Sequence, residues 1–157
     1  MRFKVEDAFS EFSFKDTRLC DWEQSGDNLL LQLSGVIALA ANSCNEELTD
    51  RYVDILQLQL RNAKITNMLL EGYKYYDAND VLQEEVPDKE IPVMDYPKIV
   101  KECVSNQGFL FQIEKVEQEG QINYEVSIDV EEKTYLITMQ FDKAIFEWER
   151  FLNRVEN

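Results

Sequence analysis

Three observations predict a mainly β protein. Apolar and polar residues alternate with a period of two along most of the chain, turn residues punctuate the alternating runs, and one stretch alone carries clear helical spacing. The expected architecture is an antiparallel sandwich or partly open barrel of about eight strands, with one short α-helix at about residues 96–106. The 157 residues are expected to form a single domain, 1–157. A chain of this size buries about 70% of the surface its unfolded form exposes. With 45% hydrophobic residues it can build a core without disulfides or metals.

The first half reads as strands in succession. Phe12 and Phe14 precede Asp16, and Leu19 to Glu23 leads into Ser25-Gly26-Asp27-Asn28, a hairpin signal. Leu29, Leu31 and Leu33 then alternate with Leu30, Gln32 and Ser34. Residues 36–41 read as a second strand after a kink at Gly35, and 42–50 as a polar loop. Tyr52, Asp54, Leu56, Leu58 and Leu60 share one parity and predict a single strand whose leucine side faces the core. Residues 65–76 supply another β-rich run, broken at Gly72.

From Asp77 to Asp95 the character changes. Seven acidic residues and one Lys, punctuated by Pro87 and Pro92, predict an exposed connection. The helix signal follows. Asp95 stands as N-cap, Pro97 lies in the first turn, Ile99, Val100, Cys103 and Val104 form an apolar stripe, and Gly108 comes after the end. Residues 109–141 predict a three-strand antiparallel meander. Phe109, Phe111 and Ile113 alternate first, Ile122 to Val130 second and Tyr135 to Phe141 third, with turns at Gly120 and at Glu131-Glu132-Lys133. In residues 144–152, Ile145, Trp148 and Leu152 fit helical spacing, but Phe146 and Trp148 alternate with Glu147 and Glu149. The aromatic and β-branched content favours a strand. Glu23-Gln24-Ser25-Gly26 and Glu117-Gln118-Glu119-Gly120 share a local text, read as two independent uses of one turn chemistry.

Composition excludes several kinds of chemistry. There is no histidine, so the usual acid–base group at neutral pH and the usual partner of a cysteine nucleophile are missing. No pair among the 31 acidic residues is singled out by spacing. Asp77-Ala78-Asn79-Asp80 opens like a calcium loop, but Leu82 stands where glycine is needed and Asp88 where glutamate is needed. The five glycines are scattered, so no phosphate-binding loop exists. No catalytic residue, metal site or cofactor is therefore assigned. Cys20, Cys44 and Cys103 are odd in number, widely spaced and set in or beside apolar runs, as core thiols of a reducing compartment are. The first residues lack the apolar core of a signal peptide, and the long uncharged stretch at 28–45 is too short to span a bilayer. These features predict a cytoplasmic protein. The net charge of −15 disfavours nucleic acid and anionic membranes and suits a basic protein partner.

Phe14-Lys15-Asp16-Thr17-Arg18-Leu19, followed by Gly26-Asp27-Asn28 and the leucine run to Leu33, resembles the opening of several small bacterial β-rich families of unknown function. Some of these are grouped with toxin-neutralising immunity proteins. The pattern places His before the Asp, where this chain has Lys15. Leu58 to Ile65 and Phe146-Glu147-Trp148 are similar to later strands of those families. The resemblance implies non-catalytic protein binding and carries no catalytic residue across. The expected contact residues for a basic partner are Glu84, Glu85, Asp88 and Glu90, in the acidic connection. The alternative is a β-barrel enclosing a small apolar ligand among aromatic residues such as Tyr124, Phe141 and Trp148, with Trp22, Tyr73, Tyr75 and Tyr76 as further aromatics able to line such a space.

Overall fold

The computed structural model describes residues 2–156. Its strands are, in chain order, β1 (Phe3–Glu6), β2 (Phe12–Ser13), β3 (Arg18–Ser25), β4 (Asn28–Ser34), β5 (Ile37–Ala38), β6 (Arg51–Val53), β7 (Leu56–Arg61) and β8 (Lys64–Leu70). There follow β9 (Tyr73–Tyr76), β10 (Leu82–Val86), β11 (Lys89–Glu90), the helix α1 (Tyr96–Ser105), β12 (Phe109–Gln118), β13 (Gln121–Val130), β14 (Lys133–Gln140), β15 (Lys143–Trp148) and β16 (Phe151–Arg154). Ten strands join in one antiparallel sheet in the order β1-β15-β7-β4-β3-β12-β13-β14-β8-β11. A four-stranded sheet, β16-β6-β5-β2, and the separate β9–β10 hairpin complete the fold. The fold is mainly β with one short helix, and the large sheet does not close into a barrel: β1 and β11 remain its edges.

The large sheet has two halves. They meet at one residue pair, Arg18 with Phe109. They are also continuous through the pair β7/β15, which carries on as β8/β14 across links of two residues each, Asn62–Ala63 and Phe141–Asp142. In the first half, register aligns Leu31 with Leu58, Leu58 with Phe146 and Phe146 with Val5, all buried on one face. The small sheet covers that face. The Phe12 ring stacks on Phe146 at 4.7 Å and meets Trp148 edge-on at 5.6 Å. In the second half Leu110, Ile128, Tyr135 and Ile137 face the interior, and α1 packs its buried Ile99 and Cys103 there. Each fully buried leucine of this core contributes roughly 1.5–3 kcal/mol.

The hairpin β3–β4 and the meander β12–β13–β14 lie at the expected positions and 42–50 carries no strand, but a bulge between Leu110 and Gln112 breaks the alternation of Phe109, Phe111 and Ile113 and turns Leu110 and Ile113 to the core. About eight strands were expected; sixteen are found among the described residues, because several runs divide. Residues 52–60 do not form one strand. The chain leaves β6 at Asp54, whose Oδ1 accepts the N–H groups of Glu149 and Arg150 at 3.1 and 3.2 Å, and enters the large sheet as β7. The same junction divides the C-terminal run into β15 and β16; neither part is helical. Residues 36–41 pair only at Ile37–Ala38. The two similar turn texts adopt different geometry: in the first, Gly26 opens the two-residue turn at φ +61°, whereas Glu119 and Gly120 both have positive φ in the second. Asp95 occupies the N-cap position of α1, but its side chain makes no capping bond; a 3-10 turn, Val93–Asp95, leads into the helix instead. Among the described residues, no helix is long and apolar enough to cross a membrane.

Candidate functional site

The acidic segment is not a plain connection. Asp77 closes a tight turn: its Oδ1 accepts the N–H groups of Asn79 and Val81 at 2.8 and 3.0 Å, and its Oδ2 accepts from Gln83 Nε2 at 3.0 Å. This folds β10 back on β9, pairing Tyr76 with Leu82, Tyr75 with Glu84, Lys74 with Glu85 and Tyr73 with Val86. At the base, Asp88 Oδ1 accepts the Gly72 N–H at 2.7 Å. A side chain is impossible at Gly72, since a Cβ there would lie 2.0 Å from the Val86 carbonyl oxygen. Side chains directly opposite share a face. Tyr73, Tyr75, Glu84 and Val86 therefore form one face, and Lys74, Tyr76, Leu82 and Glu85 the other.

Both faces are wet. Tyr73 and Tyr75 are 55% and 58% exposed. The Tyr73 hydroxyl donates to Glu84 Oε1 at 3.4 Å, so this carboxylate stands with two tyrosine rings on an open face. Of the four acidic residues expected to act together, only Glu84 has this setting. Glu85 lies on the opposite face beside Lys74 at 3.7 Å, Asp88 holds the hairpin base, and Glu90 belongs to β11 at the edge of the large sheet. The tyrosines belong with Glu84 rather than with a core or an enclosed cavity. The signal in the sequence was the run Tyr73-Lys74-Tyr75-Tyr76, which puts aromatics on both parities of one strand and leaves no dry face.

The aromatic residues expected to enclose a ligand pack against one another. The Tyr124 and Phe141 rings stack at 4.3 Å, with Phe9 against both at 5.0 and 5.8 Å. Trp148 is fully buried and sits further along the same chain of rings, beyond Phe146 and Phe12. Tyr124 borders a recess of about 330 Å3 with Asp7, Phe9 and Lys115. A more apolar space lies elsewhere. A groove of about 540 Å3 runs between α1 and β3, walled by Trp22, Ile65, Tyr96, Val100 and Val104, with Lys101 at the rim.

Most of the displaced titratable groups among the described residues are raised. Burial, reinforced by the neighbouring Glu102 carboxylate, pushes the Cys103 thiol up to about 12, so it stays protonated at neutral pH. Cys20 and Cys44 are half-buried free thiols rather than full core residues. The Glu102 carboxylate bonds Lys133 Nζ at 2.7 Å, which raises the Lys133 ammonium further. Burial raises Tyr135 and Tyr124, and a hydrogen bond to Asp16 raises Tyr52. Among the described residues, no three Cys, Asp or Glu side chains gather so as to hold a metal ion. No protein-family model, no curated protein and no solved structure matches this chain.

Proposed function

We propose that this is a non-catalytic binding protein that takes a basic partner protein on the β9–β10 hairpin. The observation that carries the reading is the open face on which Glu84 stands with Tyr73 and Tyr75. A carboxylate flanked by tyrosine rings suits an arginine side chain: the guanidinium finds a bidentate acceptor and aromatic faces together. Tyrosine and arginine are also the residues in which binding energy concentrates at interfaces. The net charge of −15 would draw such a partner in from a distance. Inhibition by occupancy, in the manner of the immunity proteins with which some of the β-rich families that residues 14–33 resemble are grouped, is the biological role proposed, within a bacterial cytoplasm.

The test is a pair of variants assayed against any basic protein that the wild-type chain retains. Tyr73→Ala with Tyr75→Ala should raise Kd by at least tenfold, through faster dissociation. Glu84→Gln with Glu85→Gln should slow association and flatten its salt dependence. A retained partner that binds both variants with wild-type kinetics would remove the hairpin from consideration.

A further inference from the structure

The groove between α1 and β3 has a second property besides its apolar walls. The turn Gly26–Asp27 joins β3 to β4, and in a two-residue hairpin the flanking pair, here Ser25 and Asn28, exchanges both main-chain hydrogen bonds. Alternation then assigns Glu23 and Asp21 to β4 as well. Trp22 and Gln24 direct their N–H and C=O groups the other way. The bond from Leu19 N–H to the Gly108 carbonyl, at 2.9 Å, fits the same alternation once the bulge between Leu19 and Asp21 is counted. Beyond Leu19 no strand of the described residues pairs with that side of β3. Helix α1 is in contact with β3, and the groove lies between the two.

An unpaired strand edge beside an apolar groove is the arrangement that receives an added strand. Main-chain hydrogen bonds supply affinity, and alternate side chains enter the groove. Trp22 N–H is covered by its own neighbour, donating to Asp21 Oδ1 at 2.9 Å. The Trp22 carbonyl and both Gln24 main-chain groups point outward. On the opposite wall Lys101 makes no ion pair with a described residue, and neither does Lys98 one turn earlier. The lining holds one carboxylate, Asp21, whose Oδ1 is already engaged by the Trp22 N–H. The groove volume of about 540 Å3 lies within the range that encloses a ligand of drug size, about 300–1,000 Å3.

We infer that the free edge of β3 and helix α1 form a strand-addition site for an extended segment of a partner protein, apolar at alternate positions and carrying a carboxylate opposite Lys101. The site is separate from the tyrosine hairpin and does not depend on its function. A displayed library of random octapeptides panned on the full chain should enrich alternating apolar sequences with an acidic residue. Titration with the synthesised winner should shift the amide signals of residues 22–24 and the fluorescence of Trp22; Trp148 is fully buried elsewhere. Methylating a peptide nitrogen that faces β3 should weaken binding about tenfold. Gln24→Pro should do the same, since proline is tolerated at an edge and removes only the outward donor. Val100→Glu should abolish binding, and Lys101→Ala should erase the preference for a Glu-bearing peptide over its Gln counterpart. Tyr73→Ala with Tyr75→Ala should leave peptide binding unchanged. If Gln24→Pro does not fold, the methylated peptide makes the same test on the unaltered protein. The inference is overturned if methylation has no effect, if the enriched peptides shift signals elsewhere, or if decanoate alone fills the groove and no peptide is enriched. It is overturned equally if sedimentation shows that two copies of the chain pair through β3.

Discussion

Cys103 ties the helix to the alkaline limit of stability. Its side chain is fully buried on α1, and burial carries the thiol from an ordinary 9.0 to about 12. The folded value exceeds the unfolded one, so the contribution is complete below pH 9 and is lost as pH rises towards 12. In that window the unfolded chain releases a proton that the folded chain keeps. Stability then falls by up to about 1.4 kcal/mol per pH unit, or about 2 kcal/mol by pH 10.5. Tyr135, Tyr124, Tyr52 and Lys133 are also raised and add slopes of the same sign, so the wild-type curve alone cannot isolate the thiol. Cys103→Ala can. At pH 7 it should cost about 1–2 kcal/mol for lost packing. The wild type should then lose about 2 kcal/mol relative to the variant between pH 8 and pH 10.5, so that the gap closes or reverses. Urea midpoints by circular dichroism, with a phosphine reductant present, measure it. A gap that stays constant over that range would refute the reasoning, as would native-state labelling of Cys103 by a thiol reagent at pH 8 as fast as that of Cys20 and Cys44.

Urea midpoints between pH 6 and pH 8 should be flat, because there is no histidine and each displaced group moves away from neutrality; a steep change near pH 6.5 would expose a raised carboxylate. Glu6, held down by its bond to Lys143, adds stability that is lost only as pH falls through its lowered value, on the acid side. Gly35→Ala should cost roughly 2–4 kcal/mol in a denaturant titration, since a Cβ would lie 2.4 Å from the Asp16 carbonyl at φ +73°; a wild-type midpoint would contradict the tight approach. Asp54→Ala leaves the Glu149 and Arg150 N–H groups without their acceptor and should cost about 1–3 kcal/mol, with faster amide exchange across β16. Exchange unchanged at residues 149–154 would separate that carboxylate from the sheet switch.

Much of the fold was legible because it rests on local alternation. Leu56, Leu58 and Leu60 fall on one side of any strand, and so do Val126, Ile128 and Val130; those sides are the buried ones. The helix was legible from its stripe and from Pro97. The hairpin inside the acidic connection was not legible because its turn is made by side chain to main chain bonds from Asp77, which leave no Asn-Gly or Asp-Gly mark. Strand parity likewise could not say whether Tyr73 and Tyr75 face a core or water.

By itself the sequence determined what its period and composition control: a β fold with one helix, a leucine face, a chain without histidine and a strongly acidic surface. Tertiary structure alone decided which strands switch sheets at Asp54, which carboxylate joins the tyrosines, and that Tyr124, Phe141 and Trp148 pack within one chain of rings. It also decided that β3 offers a free edge to α1, some seventy-five residues further along the chain. The physical reason is one of range. Alternation and turn chemistry act between neighbours, whereas an interior or a groove exists only once segments far apart in sequence have been brought together by burial of their apolar faces.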